Sequence, residues 1–235
     1  MKKILTIILT CFLSLSLAGC SASKNNDDIL AFFNALDNTL NLKSAQINGT
    51  LAMKDSKLNI DAQILQKDEL QVSSSIGLVA GKNVQNNFLN FYIKDGKTYL
   101  NSMVTNTQST VDKIGLKKNS KLNAYNPFLD LTDDQLCELF DSSKKENDTY
   151  TFKVNTSKLA TLLDNMGSVK LDHATLVATI KSEKISHMIL SFTGTQTVDD
   201  ASADIDVSIE LSIKKLNKIN FPNDLDNYKN ETAED

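Results

Sequence analysis

Few residues in this 235-residue chain could do chemistry. Its two histidines, His173 and His187, fall in neighbouring strand-like segments and could approach one another. A two-histidine metal site would still need one or two more ligands. Asp172, Asp204 or Asp206 could be enlisted, but no ligand motif connects them. Asp199-Asp200 with Asp204 and Asp206 forms an acidic patch without the glycine or spacing of a calcium loop. Cys137 lies on a helix face between Leu136 and Leu139. That position suits a buried inert thiol, since reactive thiols need exposed, electropositive surroundings. The eight glycines are scattered and form no phosphate-cradling loop. No serine sits in a nucleophile-elbow motif. Asn48-Gly-Thr and Asn155-Thr-Ser match glycosylation acceptors only by chance if the chain is bacterial. The expectation is a non-enzyme with no catalytic residue, no metal and no cofactor.

One cysteine has a specific context. Met1-Lys2-Lys3 is a short positive region, and Ile4–Leu17 is an apolar run broken only by Thr and Ser. Small residues Ala18-Gly19 follow, which completes the layout of a secretory signal. The run is short of the roughly 20 residues a spanning helix needs. Leu17-Ala18-Gly19-Cys20 resembles the lipobox of bacterial lipoproteins. That resemblance implies cleavage before Cys20 and a diacylglycerol thioether on its sulfur. Two acyl chains at ~0.8 kcal/mol per buried methylene hold stably where one is marginal. The expected partner of Cys20 is therefore the membrane, on its extracytoplasmic face. Residues 1–19 read as the signal peptide and 20–27 as a polar tether.

Removal of residues 1–19 leaves 216 of the 235. Net charge is -4 for the full chain, and loss of Lys2 and Lys3 takes it to -6. All basic residues are lysine, so bidentate arginine clamps do not exist. That sign, and the lack of a basic stripe, disfavour nucleic acid, and none is expected as a partner. Cys11 leaves with the signal and Cys20 is acylated, so Cys137 has no disulfide partner.

The elements follow from periodicity. Ile29, Phe32, Phe33, Leu36 and Leu40 make one stripe of a helix over about Asp28–Asn41, capped by Asn26 or Asp27. Ala45–Met53 and Leu58–Leu65 alternate as half-buried strands, and Leu70–Ile76 continues them more weakly. Residues 78–87 read as a loop. Asp95-Gly96 marks a type I′ hairpin that sets Tyr92 opposite Tyr99 and Phe91 opposite Leu100, with either side free to face the core. Residues 106–126 read as a long polar connection. Thr132-Asp133-Asp134-Gln135 is a capping box, with Leu131 and Leu136 as its staple. Residues 142–148 read as a charged linker and Tyr150–Val154 as a strand. A helix over about Ser157–Met166, capped by Asn155 or Thr156, presents Leu159, Leu162, Leu163 and Met166 before Gly167 ends it. Three long strands follow at about 170–181, 185–194 and 203–215, and residues 223–235 read as a disordered acidic tail.

This order predicts an α+β fold, a single domain over residues 28–222 with a largely antiparallel sheet. The N-terminal helix, the long meander, the Phe91–Leu100 hairpin and the last strand closed by Phe221-Pro222 together resemble the lipoprotein-carrier superfamily of LolA/LolB-like and LppX-like proteins. The resemblance is one of pattern. It implies a curved half-barrel wrapped over the N-terminal helix and two short helices, with an apolar cavity able to hold acyl chains. The candidate pocket set is Phe32, Phe33, Leu36, Leu51, Met53, Ile60, Ile64, Leu159 and Leu163. Two functions are expected to compete: a membrane-anchored binder of a lipid or other hydrophobic ligand, and an interaction lipoprotein with a filled core and an envelope protein as partner. On either reading the protein should fractionate with membranes and incorporate labelled fatty acid, and Cys20→Ser should abolish the label.

Overall fold

A computed structural model of the chain describes residues 24–163, 168–198 and 201–230. The signal peptide, Cys20, Met166, Gly167 and Asp199-Asp200 lie outside the described residues. Helix α1 spans Asn26–Leu40. Six strands follow: β1 Ser44–Met53, β2 Ser56–Gln66, β3 Leu70–Ala80, β4 Asn83–Lys94, β5 Lys97–Ser102 and β6 Asn106–Thr110. After two short 3-10 turns come α2 Asp133–Glu138, β7 Phe140–Glu146, β8 Thr149–Val154 and α3 Thr156–Leu163. The chain then runs through β9 Ser168–Lys181, β10 Lys184–Val198, β11 Ala201–Lys214 and the two-residue β12 Lys229–Asn230.

These strands form one open sheet in the order β12-β6-β5-β4-β3-β2-β1-β11-β10-β9-β8-β7. All pairs are antiparallel except β12 with β6. The sheet is two meanders, β1–β6 and β7–β11, joined where β1 pairs with β11. The strands at its two ends, β12 and β7, do not pair, so the sheet stays unclosed. The fold is α+β, as the pattern predicts.

Register explains why only one face is apolar. Ile47 opposes Ile213, Leu51 opposes Ile209 and Met53 opposes Val207 across the central joint. Leu211 opposes Met188, and Met188 opposes Ala178. On the other side Ile64 opposes Val72, which opposes Ile93. Side chains alternate along a strand, so these residues share one face throughout. The opposite face carries Ser, Thr, Asn and Gln. There Asn48 donates to Asp61 at 2.6 Å, and Ser191 meets Ser208 at 3.1 Å.

Helix α1 lies on the apolar face. Asn25 caps it by accepting from the Asp27 N–H, one residue earlier than expected, and Asp27 and Asp28 complement its N-terminus. Ile29, Phe32, Phe33 and Ala35 are buried. Phe32 packs edge-on against Phe140 and Phe33 tilts against the same ring, while Phe152 lies tilted on Phe140 at 4.7 Å. Both helix ends are pinned. Asn25 N–H donates to Ser143 Oγ at 2.9 Å, and Ile185 N–H donates to Thr39 Oγ1 at 2.8 Å. Buried Gln66 donates to the Leu40 and Leu42 carbonyls and accepts from the Leu122 N–H, which ties the helix end to the second 3-10 turn. A second cluster, Ile64, Leu70, Ile93 and Val111, forms beneath the segment that carries both turns.

Four expectations are corrected. Residues 78–87 are not a loop, because β3 runs to Ala80 and β4 starts at Asn83, with Gly81 at φ +58° in the turn. Asn83–Asn87 is exposed there, so it carries no alternation to read. Residues 142–148 are not a linker. They hold most of edge strand β7, whose Lys144, Lys145 and Glu146 guard an unpaired edge. The 106–126 connection begins with strand β6. The described part of the tail is not disordered, since Leu225 and Tyr228 are buried against Tyr92 and Tyr99 on the otherwise polar face. Tyr228 meets Tyr99 edge-on at 5.8 Å, its carbonyl accepts from Gln108 at 2.7 Å, and Lys94 lies over Phe221.

Burial holds the Tyr92, Tyr99 and Tyr228 hydroxyls above the usual phenol range. A folded-state pKa above the unfolded value gives stability that is complete below pH ~10 and is lost as pH rises through the folded value. The melting temperature should therefore fall as pH rises above ~10. Tyr228→Phe, which deletes one of the three titrating groups, should flatten that fall in a calorimetric pH series.

Candidate functional site

A half-enclosed cavity of about 250 Å³ lies between α1 and the β7–β10 part of the sheet. Helix α1 contributes Phe32, Phe33 and Leu36, and the segment before α2 contributes Phe128. Leu139, Phe140 and Val154 form one side and Leu159 of α3 the other, with Leu176, Met188 and Leu190 as the sheet floor. Among the described residues, none that lines it is polar. Water in a cavity needs two to four polar partners, so this space favours apolar atoms over solvent.

Local sequence places each wall. The i, i+1, i+4 spacing of Phe32, Phe33 and Leu36 turns two rings and a branched chain onto one helix side. The capping box is complete, with Thr132 Oγ1 accepting from the Gln135 N–H and Gln135 Oε1 from the Thr132 N–H. It fixes the short α2, and with it Leu139 and Phe140. Asn155 caps α3 by accepting from the Lys158 N–H at 3.1 Å, which sets Leu159 over β9.

Four of the nine expected pocket residues line the cavity: Phe32, Phe33, Leu36 and Leu159. Ile64 instead packs in the second cluster. Leu51, Met53 and Ile60 share the sheet face but stand beside the cavity, Leu51 and Ile60 half-buried and Met53 exposed at 41 %. Leu163 ends α3, and its side chain lies outside the described residues. Sequence reasoning misses Phe128, Leu139, Phe140, Val154, Leu176, Met188 and Leu190. Of these, Leu139 and Phe140 carry a readable signal as the apolar face that follows the capping box, as does Val154 in the alternating Tyr150–Val154 strand, whereas Met188-Ile189-Leu190 is a continuous apolar run that does not tell one face from the other.

The apolar floor continues past the cavity. Leu190 opposes Ile209, Ile209 opposes Leu51, Leu51 opposes Leu58, and Leu58 opposes Leu78. All five are partly exposed. Helix α1 packs on the sheet mainly against β7, β9 and β10, so beyond Leu190 no helix among the described residues packs mainly on this strip.

The polar candidates do not assemble. His187 opposes Thr179 while His173 opposes Thr193, six positions apart on β10 and hence roughly 20 Å at ~3.3 Å per residue. The two histidines therefore do not meet. His187 instead contacts Glu210 at 2.9 Å. Asp172, Asp204 and Asp206 are exposed, and no group of three His, Cys, Asp or Glu that could hold a metal occurs among the described residues. Cys137 is buried, and burial pushes its thiol up, which disfavours the nucleophilic thiolate. No helix among the described residues is long and apolar enough to cross a membrane.

No protein-family model matches the chain, and no curated protein matches it in sequence. Among solved structures it is similar to LprF from Mycobacterium bovis, with a TM-score of 0.44 and 9% identity over 86% of this chain and 98% of that one. It is more distantly similar to a porin-like protein from Bacteroides uniformis, with a TM-score of 0.24 and 6% identity over 75% of this chain and 98% of that one.

Proposed function

We propose that the protein is an envelope lipoprotein, anchored through Cys20, that binds an acyl chain or another slender hydrophobic ligand. The observation behind this reading is the wholly apolar, half-enclosed cavity between α1 and the sheet. The partly exposed strip through Ile209, Leu51 and Leu58 extends the same surface beyond it. A ligand lying along both would remove apolar area from water at about 25 cal/mol per Å². It would need no polar partner at its buried end. A membrane anchor keeps such a binder beside its source of ligand.

The cavity's size supports the second reading, an interaction lipoprotein with a filled core. About 250 Å³ is under the roughly 300 Å³ at which ligand pockets begin. On that reading the strip is where an envelope protein partner docks.

One experiment separates the two. The chain from Ser21 onward, secreted and purified without detergent, is examined by native mass spectrometry and by titration with a fluorescent fatty acid. Ligand binding gives adduct masses and saturable uptake. Leu159→Trp, which fills the cavity from its α3 rim, should weaken uptake tenfold or more while leaving the melting temperature unchanged or raised. A clean apo mass with no uptake overturns the proposal.

A further inference from the structure

A second concave surface lies at the opposite end of α1 from the tether. Lys43 follows α1, Lys181 and Lys184 flank the β9–β10 turn, and Lys214 and Lys215 end β11. The five lysines surround one depression of about 450 Å³ whose remaining walls include Leu42, Ile185 and Ile213. The fold forces this convergence. Antiparallel pairing of β1 with β11, and of β10 with both β11 and β9, brings the start of β1, the β9–β10 turn and the end of β11 to one edge.

The charges there are unbalanced. Among the described residues, the ammonium groups of Lys43, Lys181, Lys214 and Lys215 have no ion pair or hydrogen bond, and that of Lys184 donates only to the Ser182 carbonyl at 3.3 Å. Glu183 sits in the same turn and pairs with none of them. Elsewhere lysines do find acids, as Lys118 with Glu69 and Lys158 with Glu138. Five clustered cations on a chain of net charge -4 concentrate positive potential at one end.

We propose that this depression binds the phosphate headgroups of anionic lipids and sets this end of the sheet against the bilayer surface. Ammonium groups act as solvated point charges, which suits mobile headgroups. The apolar Leu42, Ile185 and Ile213 between them match the glycerol and first methylenes beneath a phosphate. A chain from Cys20 to Asn25 reaches about 17 Å at full extension. Helix α1 is about 22 Å long, so anchor and patch can meet one surface with α1 lying along it. One lipid anchor plus a basic patch is also a sound combination for stable membrane residence.

The test uses the full-length protein mixed with nanodiscs of phosphatidylcholine alone or with one third phosphatidylglycerol, followed by lysine-acylation footprinting. Lys43, Lys181, Lys184, Lys214 and Lys215 should be protected only on the anionic discs, and Lys54, Lys57 and Lys82 at the far end on neither. Salt at about 1 M, where the Debye length is ~3 Å, should remove the protection. The exposed triple variant Lys43→Gln, Lys181→Gln, Lys214→Gln should keep its melting temperature. It should lose about a hundredfold in binding to anionic vesicles, roughly fivefold per lysine. Equal protection on both discs, or on neither, overturns the proposal. So does protection by millimolar inorganic phosphate alone, which would make the ligand a free anion. None of these readouts involves the apolar cavity, so they stand or fall apart from hydrophobic ligand binding.

Discussion

The pairing of β1 with β11 is the constraint on which the rest of the structure depends. It runs from Gln46 opposite Lys214 to Met53 opposite Val207. Each meander could form by local hairpins, but only this joint makes them one sheet. Its register must also put Ile47 and Leu51 on the same face as Leu190 and Leu176. A slip of one residue would send one meander's apolar set to the polar side. Gly49 sits inside the joint, where an added Cβ would lie 2.5 Å from the Glu210 carbonyl oxygen and from Leu211 Cδ2. The absence of a side chain at Gly49 is thus tied to how closely the two meanders approach.

A continuous apolar face then creates a problem of coverage. Twelve strands at ~4.8 Å spacing extend for roughly 50 Å around the sheet. The 15 residues of α1 reach only about 22 Å. One helix cannot close such a face, and the short α2 and α3 add little. The segment carrying Val111, Leu116 and Leu122 covers one flank. What remains is the cavity, where helix and sheet meet imperfectly, and the bare strip beside it. Both follow from a large sheet with few helices.

Much of this is legible from period and turn chemistry. The α1 stripe, the Asp95-Gly96 hairpin with both residues at positive φ, the capping box and the alternation of β11 stand where the sequence puts them. Strands that run beyond the core are not legible. Asn83–Asn87 and Lys144–Glu146 are polar because they face solvent or guard an edge, and polarity reads as loop. The C-terminal segment is hidden for a related reason. Phe221, Leu225 and Tyr228 are spaced by 4 and 3, a recognisable apolar set, but they are diluted by Pro222 and by the four polar residues Asn223, Asp224, Asp226 and Asn227 between them. The cavity is half legible. Periodicity identifies a face and not the part of it that a helix leaves uncovered. Phe32 and Leu159 are therefore readable, whereas Leu51 on β1 can be told from Leu190 on β10 only by strand order.

The way the helices are held bears on how the cavity can change. Enlarging it by lifting α1 would break the Asn25–Ser143 and Thr39–Ile185 hydrogen bonds at its ends and strand buried Gln66 without its two carbonyl acceptors. Leaving such buried polar groups unpaired costs about 1–3 kcal/mol each. It would also separate Phe32 from Phe140 and Phe152. Helix α3 is held differently. It rests mainly on β9, and the Lys158–Glu138 pair linking it to α2 is exposed and therefore weak. Among the described contacts, α1 is thus the more firmly tied wall of the cavity and the α3 side with Leu159 the less firmly tied one.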